Sequence, residues 1–200
     1  TGAKTAGQDI YKRLPFYKLL ALELGGHNPL VVADVEDLQK AIECIQVSSM
    51  ISTGQRCSCA RRLIVIKQHN TDALIQGLTA SLQSLKIGCF DDAPEPFMGP
   101  LIHKQARSQV LDAYASLIKQ GAKSLLEPKV LGEKGVYLSP GLVDTTGLGL
   151  AHDQEVFGPL LQVNYVNHLE EAVQQANNTP FGLSSSLISR SKANFDYFKA

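Results

Sequence analysis

The run from Pro29 to Lys67, PLVVADVEDLQKAIECIQVSSMISTGQRCSCARRLIVIK, contains the unit from which the rest of the chain is built. Its first residues, Pro29-Leu30-Val31-Val32-Ala33, are apolar and β-branched, the composition of a strand buried on both faces. Asp34 is placed to cap a helix, with Asp37 three residues on, where an acid favours the helix start. Leu38, Ala41, Ile42, Ile45, Ser49 and Met50 recur at helical spacing and form one inward face, which should end near Gly54. A second buried strand reads Arg61-Arg62-Leu63-Ile64-Val65-Ile66-Lys67. Strand, helix and strand in so short a run describe a parallel crossover unit.

The alternation continues outward. Asn70 or Thr71 caps a helix whose stripe is Leu74, Ile75, Leu78, Leu82 and Leu85. Residues 87–100 hold Gly88, Pro94, Pro96, Gly99 and Pro100, too many breakers for regular structure. A helix over 103–120 turns Ala106, Val110, Tyr114, Leu117 and Ile118 inward, and Gly121 suits the left-handed residue after its end. Short strands are expected at 124–126, 136–138 and 141–144, a loop over 147–158 and a strand over 159–166. Leu169, Ala172, Val173 and Ala176 mark a helix that Asn177-Asn178-Thr179-Pro180 ends, and a strand over 182–189 and a helix over 192–200 follow. This order predicts an α/β fold, an open and mostly parallel sheet with helices on both faces, as one domain over residues 1–200.

Composition narrows the function classes. Hydrophobic residues make up 44% and charged residues 19% of the 200, and the net charge of +0 offers no footprint for nucleic acid or anionic lipid. No run approaches the roughly 18 apolar residues of a membrane span, and no signal pattern opens the chain, so the expected location is the cytoplasm. The four cysteines, at 44, 57, 59 and 89, are expected to be reduced thiols. The chain opens at Thr1 and stops at Ala200 inside an apparent helix, which suggests a piece of a longer protein.

Cys57 follows a helix end and a glycine, where a thiol can be exposed as a nucleophile, with Arg56 adjacent to favour the thiolate. Glu23, among Leu20, Leu22 and Leu24, is a candidate general base tuned upward by apolar surroundings. Gly25-Gly26 suggests close backbone approach. Glu155, ahead of Phe157-Gly158-Pro159, is a candidate partner for ribose hydroxyls. Each has a plain alternative: an inert buried thiol, a surface carboxylate, an ordinary turn, a solvated acid beside a core phenylalanine. Cys59 keeps open a redox pair or half a metal site, although no second ligand pair with zinc spacing exists. The histidines at 27, 69, 103, 152 and 168 are scattered, and none is expected to be catalytic.

Taken in order, Glu23-Leu24-Gly25-Gly26, Gly54-Gln55-Arg56-Cys57, Glu155-Val156-Phe157-Gly158-Pro159 and Asn178-Thr179-Pro180-Phe181-Gly182-Leu183-Ser184 resemble the motif series of the NAD(P)-dependent aldehyde dehydrogenase superfamily across nearly the whole chain. The Cys-Ser-Cys-Ala-Arg-Arg run from Cys57 to Arg62 is most similar to the branch of that family that acts on N-succinylglutamate 5-semialdehyde in arginine catabolism.

The resemblance implies Cys57 as nucleophile, Glu23 as general base, and Glu155, Phe157, Gly2 and Gly25 at an NAD or NADP cofactor, with no metal. It implies a small-molecule aldehyde as substrate, no nucleic-acid or membrane partner, and a homo-oligomeric full-length protein. It also makes the chain the catalytic domain, with most of the nucleotide-binding domain and the oligomerisation segment outside it and turnover by the 200 residues alone inefficient. Two positions depart from the family pattern. Ala3 stands where the family's Phe-Thr-Gly-Ser motif has its serine, so that hydroxyl contact is lost. Met50 stands where the family has a phenylalanine, a wall of the aldehyde tunnel that a thioether must fill here. A thiol redox or metal-binding module, or a noncatalytic scaffold of the same fold, are the competing readings.

Overall fold

The computed structural model of this chain describes residues 1–132, 135–149 and 153–200; His152 and part of the expected 147–158 loop lie outside the described residues. Strand β1 (Asn28–Val32) leads through helix α2 (Leu38–Met50) and a left-handed turn at Ile51–Gly54 into strand β2 (Ala60–Ile66), so the opening unit forms as expected. The two strands pair in parallel, Leu30 beside Leu63 and Val32 beside Val65. Asp37, not Asp34, caps α2, its side chain accepting from Lys40 N at 3.1 Å. Asp34 is occupied elsewhere, accepting from Ser189 Oγ and Arg190 N.

A helix of low apolar content, α1 (Lys4–Arg13), precedes the sheet. After β2 come α3 (Thr71–Gln83), α4 (Lys104–Lys119), β3 (Lys123–Leu126), the ribbon strands β4 (Val130–Leu131) and β5 (Tyr137–Leu138), then β6 (Gly141–Asp144), β7 (Leu160–Val166), α5 (Leu169–Asn177), β8 (Ser186–Ile188) and α6 (Lys192–Lys199). The six-stranded sheet runs β3-β6-β7-β2-β1-β8, parallel except for β3 at one edge. The expected strand at 136–138 pairs with β4 in a separate two-stranded ribbon, and that at 182–189 shortens to three residues.

Side-chain alternation sends the central strands' residues to two cores. Leu30, Val32, Leu63, Val65, Leu161 and Val163 pack with Ile42, Ile45, Leu74, Leu78 and Leu82 of α2 and α3. Val31, Ile64 and Val166 meet Ala172 and Ala176 of α5 on the opposite face. Val110 and Leu117 of α4 pack on Val143, Leu160 and Leu138. At about 2 kcal/mol for each buried Leu, Ile or Val, these layers make the sheet a rigid base for the loops at its ends. Met50 is fully enclosed in the α2–α3 core, so its thioether lines no open surface here.

Candidate active site

Four connections meet along one edge of the sheet. Glu23–Gly26 leads into β1, Gly54–Cys57 into β2, Glu155–Gly158 into β7 and Asn178–Ser184 into β8, and these strands lie side by side in the order β7-β2-β1-β8. Because the strands are parallel, all four segments collect at their amino ends.

The Cys57 segment begins with strained backbone. Ser52, Thr53 and Gly54 have φ of 53°, 59° and 67°, left-handed values that a β-branched threonine rarely takes. Thr53 Oγ1 donates to Gly99 O, Gln55 Nε2 donates to Pro100 O, and Gln55 Oε1 accepts from Ile102 N, so the turn is tied to the 99–102 loop. A Cβ on Gly54 would lie 2.2 Å from Gly158 O, which brings the Cys57 and Glu155 segments into backbone contact. Cys57 is exposed, whereas Cys59 is buried and donates its thiol to Ile51 O. The two thiols therefore occupy different environments.

Asn28 holds this loop to the sheet. Pro29 has no N–H, and the β1–β2 register shifts between Asn28 and Pro29. The buried Asn28 side chain supplies the missing polar partners: Nδ2 donates to Cys57 O at 2.6 Å and Cys59 O at 2.9 Å, and Oδ1 accepts from Ser184 N at 3.2 Å. One amide thus joins the segments entering β1, β2 and β8.

Glu155 is largely buried, and its Oε1 accepts the Gly26 N–H at 2.8 Å. Gly25 is pressed against the same carboxylate: a Cβ there would fall 1.7 Å from Oε2. Gly26, whose added Cβ would meet the Asn28 side chain at 2.3 Å, is equally confined. The Gly-Gly pair therefore lets the main chain approach two hydrogen-bonded side chains closely, as the sequence suggested. Among the described residues Oε2 takes no hydrogen bond, so the carboxylate keeps an oxygen available to a ligand hydroxyl. Phe157 is 41% exposed and packs on the Arg61 guanidinium.

Glu23 is exposed, beside a cleft of about 470 Å³ lined by Leu22, Leu24, Gly25, Phe181 and Leu183. The expected desolvation by neighbouring leucines is not realised, because Glu23 itself is exposed and Leu22 beside it is 42% exposed. The Glu23 main chain is fixed instead, its carbonyl accepting from Thr1 Oγ1 and Gly2 N. Its carboxylate makes no hydrogen bond to Cys57. Gly2 forms a bridge to Leu24 and so lies beside Glu23.

The arginines divide by burial. Arg56 is exposed and donates from Nε to Ser52 Oγ. Arg61 and Arg62 are buried and serve main-chain carbonyls: Arg61 those of Gly54, Arg56 and Val156, Arg62 those of His27, Gln175 and Ala176. His27 is also buried, with Nδ1 in a close pair with Asp153 Oδ1. Burial holds its pKa below the usual histidine value; the Asp153 hydrogen bond opposes this and the Arg62 charge reinforces it. His103 and His168 cap α4 and α5 through their Nδ1 atoms. Asn28, Arg61 and the His27–Asp153 pair were missed in the sequence, where only the proline after Asn28 hinted at a gap in the ladder.

The aldehyde dehydrogenase family model matches residues 1–200, the whole chain. The chain belongs to the aldehyde dehydrogenase family. It is 41% identical over 198 residues to N-succinylglutamate 5-semialdehyde dehydrogenase from Escherichia coli O139:H28, a match covering 98% of this chain and 40% of that protein. A solved lactaldehyde dehydrogenase from Escherichia coli superposes with a TM-score of 0.88 at 31% identity, covering 99% of this chain and 42% of that one. Betaine aldehyde dehydrogenase from Staphylococcus aureus, solved in complex with NAD+, gives 0.89 at 25% identity, covering 99% and 40%. This aldehyde dehydrogenase chain therefore spans about two fifths of the length of the relatives it matches. Among its described residues no helix is long and apolar enough to cross a membrane.

Proposed function

We propose that this chain carries the catalytic centre of an NAD(P)-dependent enzyme that oxidises an aldehyde to a carboxylic acid, with Cys57 as nucleophile and Glu23 as general base. The observation that carries the reading is the placement of the exposed Cys57 thiol on a loop that buried side chains hold from both flanks. N-succinylglutamate 5-semialdehyde is the proposed substrate, supported by the 41% identical relative of that name.

The residues fit a dinucleotide. Glu155 offers a carboxylate oxygen for a ribose hydroxyl, Gly25 lets the main chain approach that carboxylate closely, and Phe157 presents a half-exposed ring; Gly2, against Glu23 and Leu24, completes the proposed contacts. The bound nicotinamide supplies the hydride acceptor. The thiolate of Cys57 forms a carbon–sulfur bond to the aldehyde carbon, and the Cys57 N–H, which no acceptor takes among the described residues, is available to the resulting oxyanion. Loss of hydride from that thiohemiacetal leaves an acyl thioester on Cys57. Glu23 takes a proton from water, the hydroxide adds to the acyl carbon, and the carbon–sulfur bond breaks to release the acid and restore the thiolate.

In the complete protein, Glu23→Gln should give one burst of NADH per site, with acyl-Cys57 persisting in the intact mass, while steady turnover falls about a hundredfold or more. Turnover by that variant at the wild-type rate, with no trapped acyl group, would remove Glu23 from its role. Succinylglutamate semialdehyde should exceed glutamate semialdehyde and simple aliphatic aldehydes in kcat/KM; equal values across the panel would withdraw the substrate assignment. We further propose that the 200 residues alone turn over inefficiently, since few cofactor contacts lie within them.

A further inference from the structure

Arg61 bonds both the Cys57 and the Glu155–Phe157 segments with one side chain. In the β1–β2 register Asn28 faces Ala60 and Pro29 faces Arg62, so Arg61 is the extra residue of a bulge. Bulges re-aim side chains, and parallel ones are uncommon. The re-aimed guanidinium is 2% exposed as a residue and donates to Gly54 O at 3.0 Å and Arg56 O at 3.0 Å, both ahead of Cys57, and to Val156 O at 2.6 Å, between Glu155 and Phe157. It lies 4.8 Å from the Phe157 ring centroid and 4.0 Å from Glu155 Oε1. We propose that Arg61 is a positioning residue that fixes the Cys57 loop and the Glu155–Phe157 segment relative to each other, so that nucleophile and cofactor keep one register.

The geometry requires a planar, multiply donating cation. Three carbonyls from two segments are served at once, and a lysine ammonium on a single stem cannot span them while also stacking on Phe157. Burial disfavours the charged guanidinium, and Glu155 close by offsets this. Glu155 is thereby held from two sides, by the Gly26 N–H and by the Arg61 charge.

The proposal rests on the roles given above to Cys57 and Glu155, and the complete protein tests it. Arg61→Lys should raise KM for NAD+ about tenfold or more, with a much smaller change in the aldehyde KM, and should change the rate of Cys57 alkylation by iodoacetamide in the cofactor-free protein several-fold. Guanidinium ion at concentrations well below denaturing should restore part of the activity of Arg61→Ala and leave the wild type unaffected. A purely structural role predicts a lower Tm with unchanged KM and alkylation rate below it, and that result would overturn the proposal, as would full activity in Arg61→Lys. If Arg61→Ala does not fold, the Lys variant's KM values and alkylation rate decide alone. Failure of the underlying reading looks different: the wild type would make no NADH with any aldehyde, or Cys57→Ser would be fully active.

Discussion

Asn28→Asp changes one heavy atom of the side chain and should damage the Cys57 loop severely. Nδ2 now donates to two carbonyl oxygens, at 2.6 Å from Cys57 O and 2.9 Å from Cys59 O, in a residue only 3% exposed. The replacing oxygen would face both carbonyls with nothing to donate. Each acceptor left unsatisfied costs about 1–3 kcal/mol, and the buried carboxylate adds desolvation, so the total should be about 3–5 kcal/mol at neutral pH. The deficit should depend on pH in a defined direction. The protonated acid can donate one hydrogen bond and avoids burying a charge, so its folded pKa is raised above the unfolded value of about 3.9. Between those two values the folded state binds the extra proton, and stability falls as pH rises. Thermal melting of the complete protein should therefore show a clear loss relative to wild type at about pH 8 and a smaller one at about pH 5. Melting within about 1 °C of wild type at both pH values would refute the clamp assigned to Asn28.

Gly54→Ala should cost about 2–4 kcal/mol, combining left-handed backbone with a Cβ 2.2 Å from Gly158 O, whereas Gly99→Ala, with open space around its Cα, should melt as wild type; similar melting of both would contradict the close approach of the two segments. His27 should make the protein lose stability as pH falls: its folded pKa lies below the unfolded 6.5, the unfolded state binds the proton first, and the loss runs from about 6.5 down to the folded value. His27→Gln should flatten that limb of a melting-versus-pH curve, and an unchanged limb would assign it to another group.

The sheet was legible because its central strands are short continuous apolar runs, as at Leu30 to Ala33, and its helices carry the period of 3.6 that one-sided burial imposes, as at Ile42 to Met50. Helix α1 was missed for the same reason in reverse: Lys-Thr-Ala-Gly-Gln-Asp-Ile-Tyr-Lys-Arg buries only Gly7 and has no apolar stripe to read. Choosing Asp34 as the cap of α2 was a local argument that lost to a distant one, since its carboxylate is claimed by Ser189 and Arg190. The candidate site was legible as an ordered set of short motifs around Cys57, Glu23 and Glu155. What holds them was not, because Asn28 and Arg61 act through carbonyls up to 95 residues away. A backbone carbonyl leaves no mark on the sequence. The desolvation expected at Glu23 is absent because Leu22 and Leu24 line the same open cleft without covering the carboxylate.

The most direct test is Cys57→Ser in the complete protein, assayed for NADH formation with succinylglutamate semialdehyde. The thiolate is the only protein group that bonds to the substrate in the proposed route, so kcat should fall at least about a thousandfold while the fold, judged by melting, is unchanged. Activity within about tenfold of wild type in a correctly folded Cys57→Ser protein would contradict covalent catalysis at this loop.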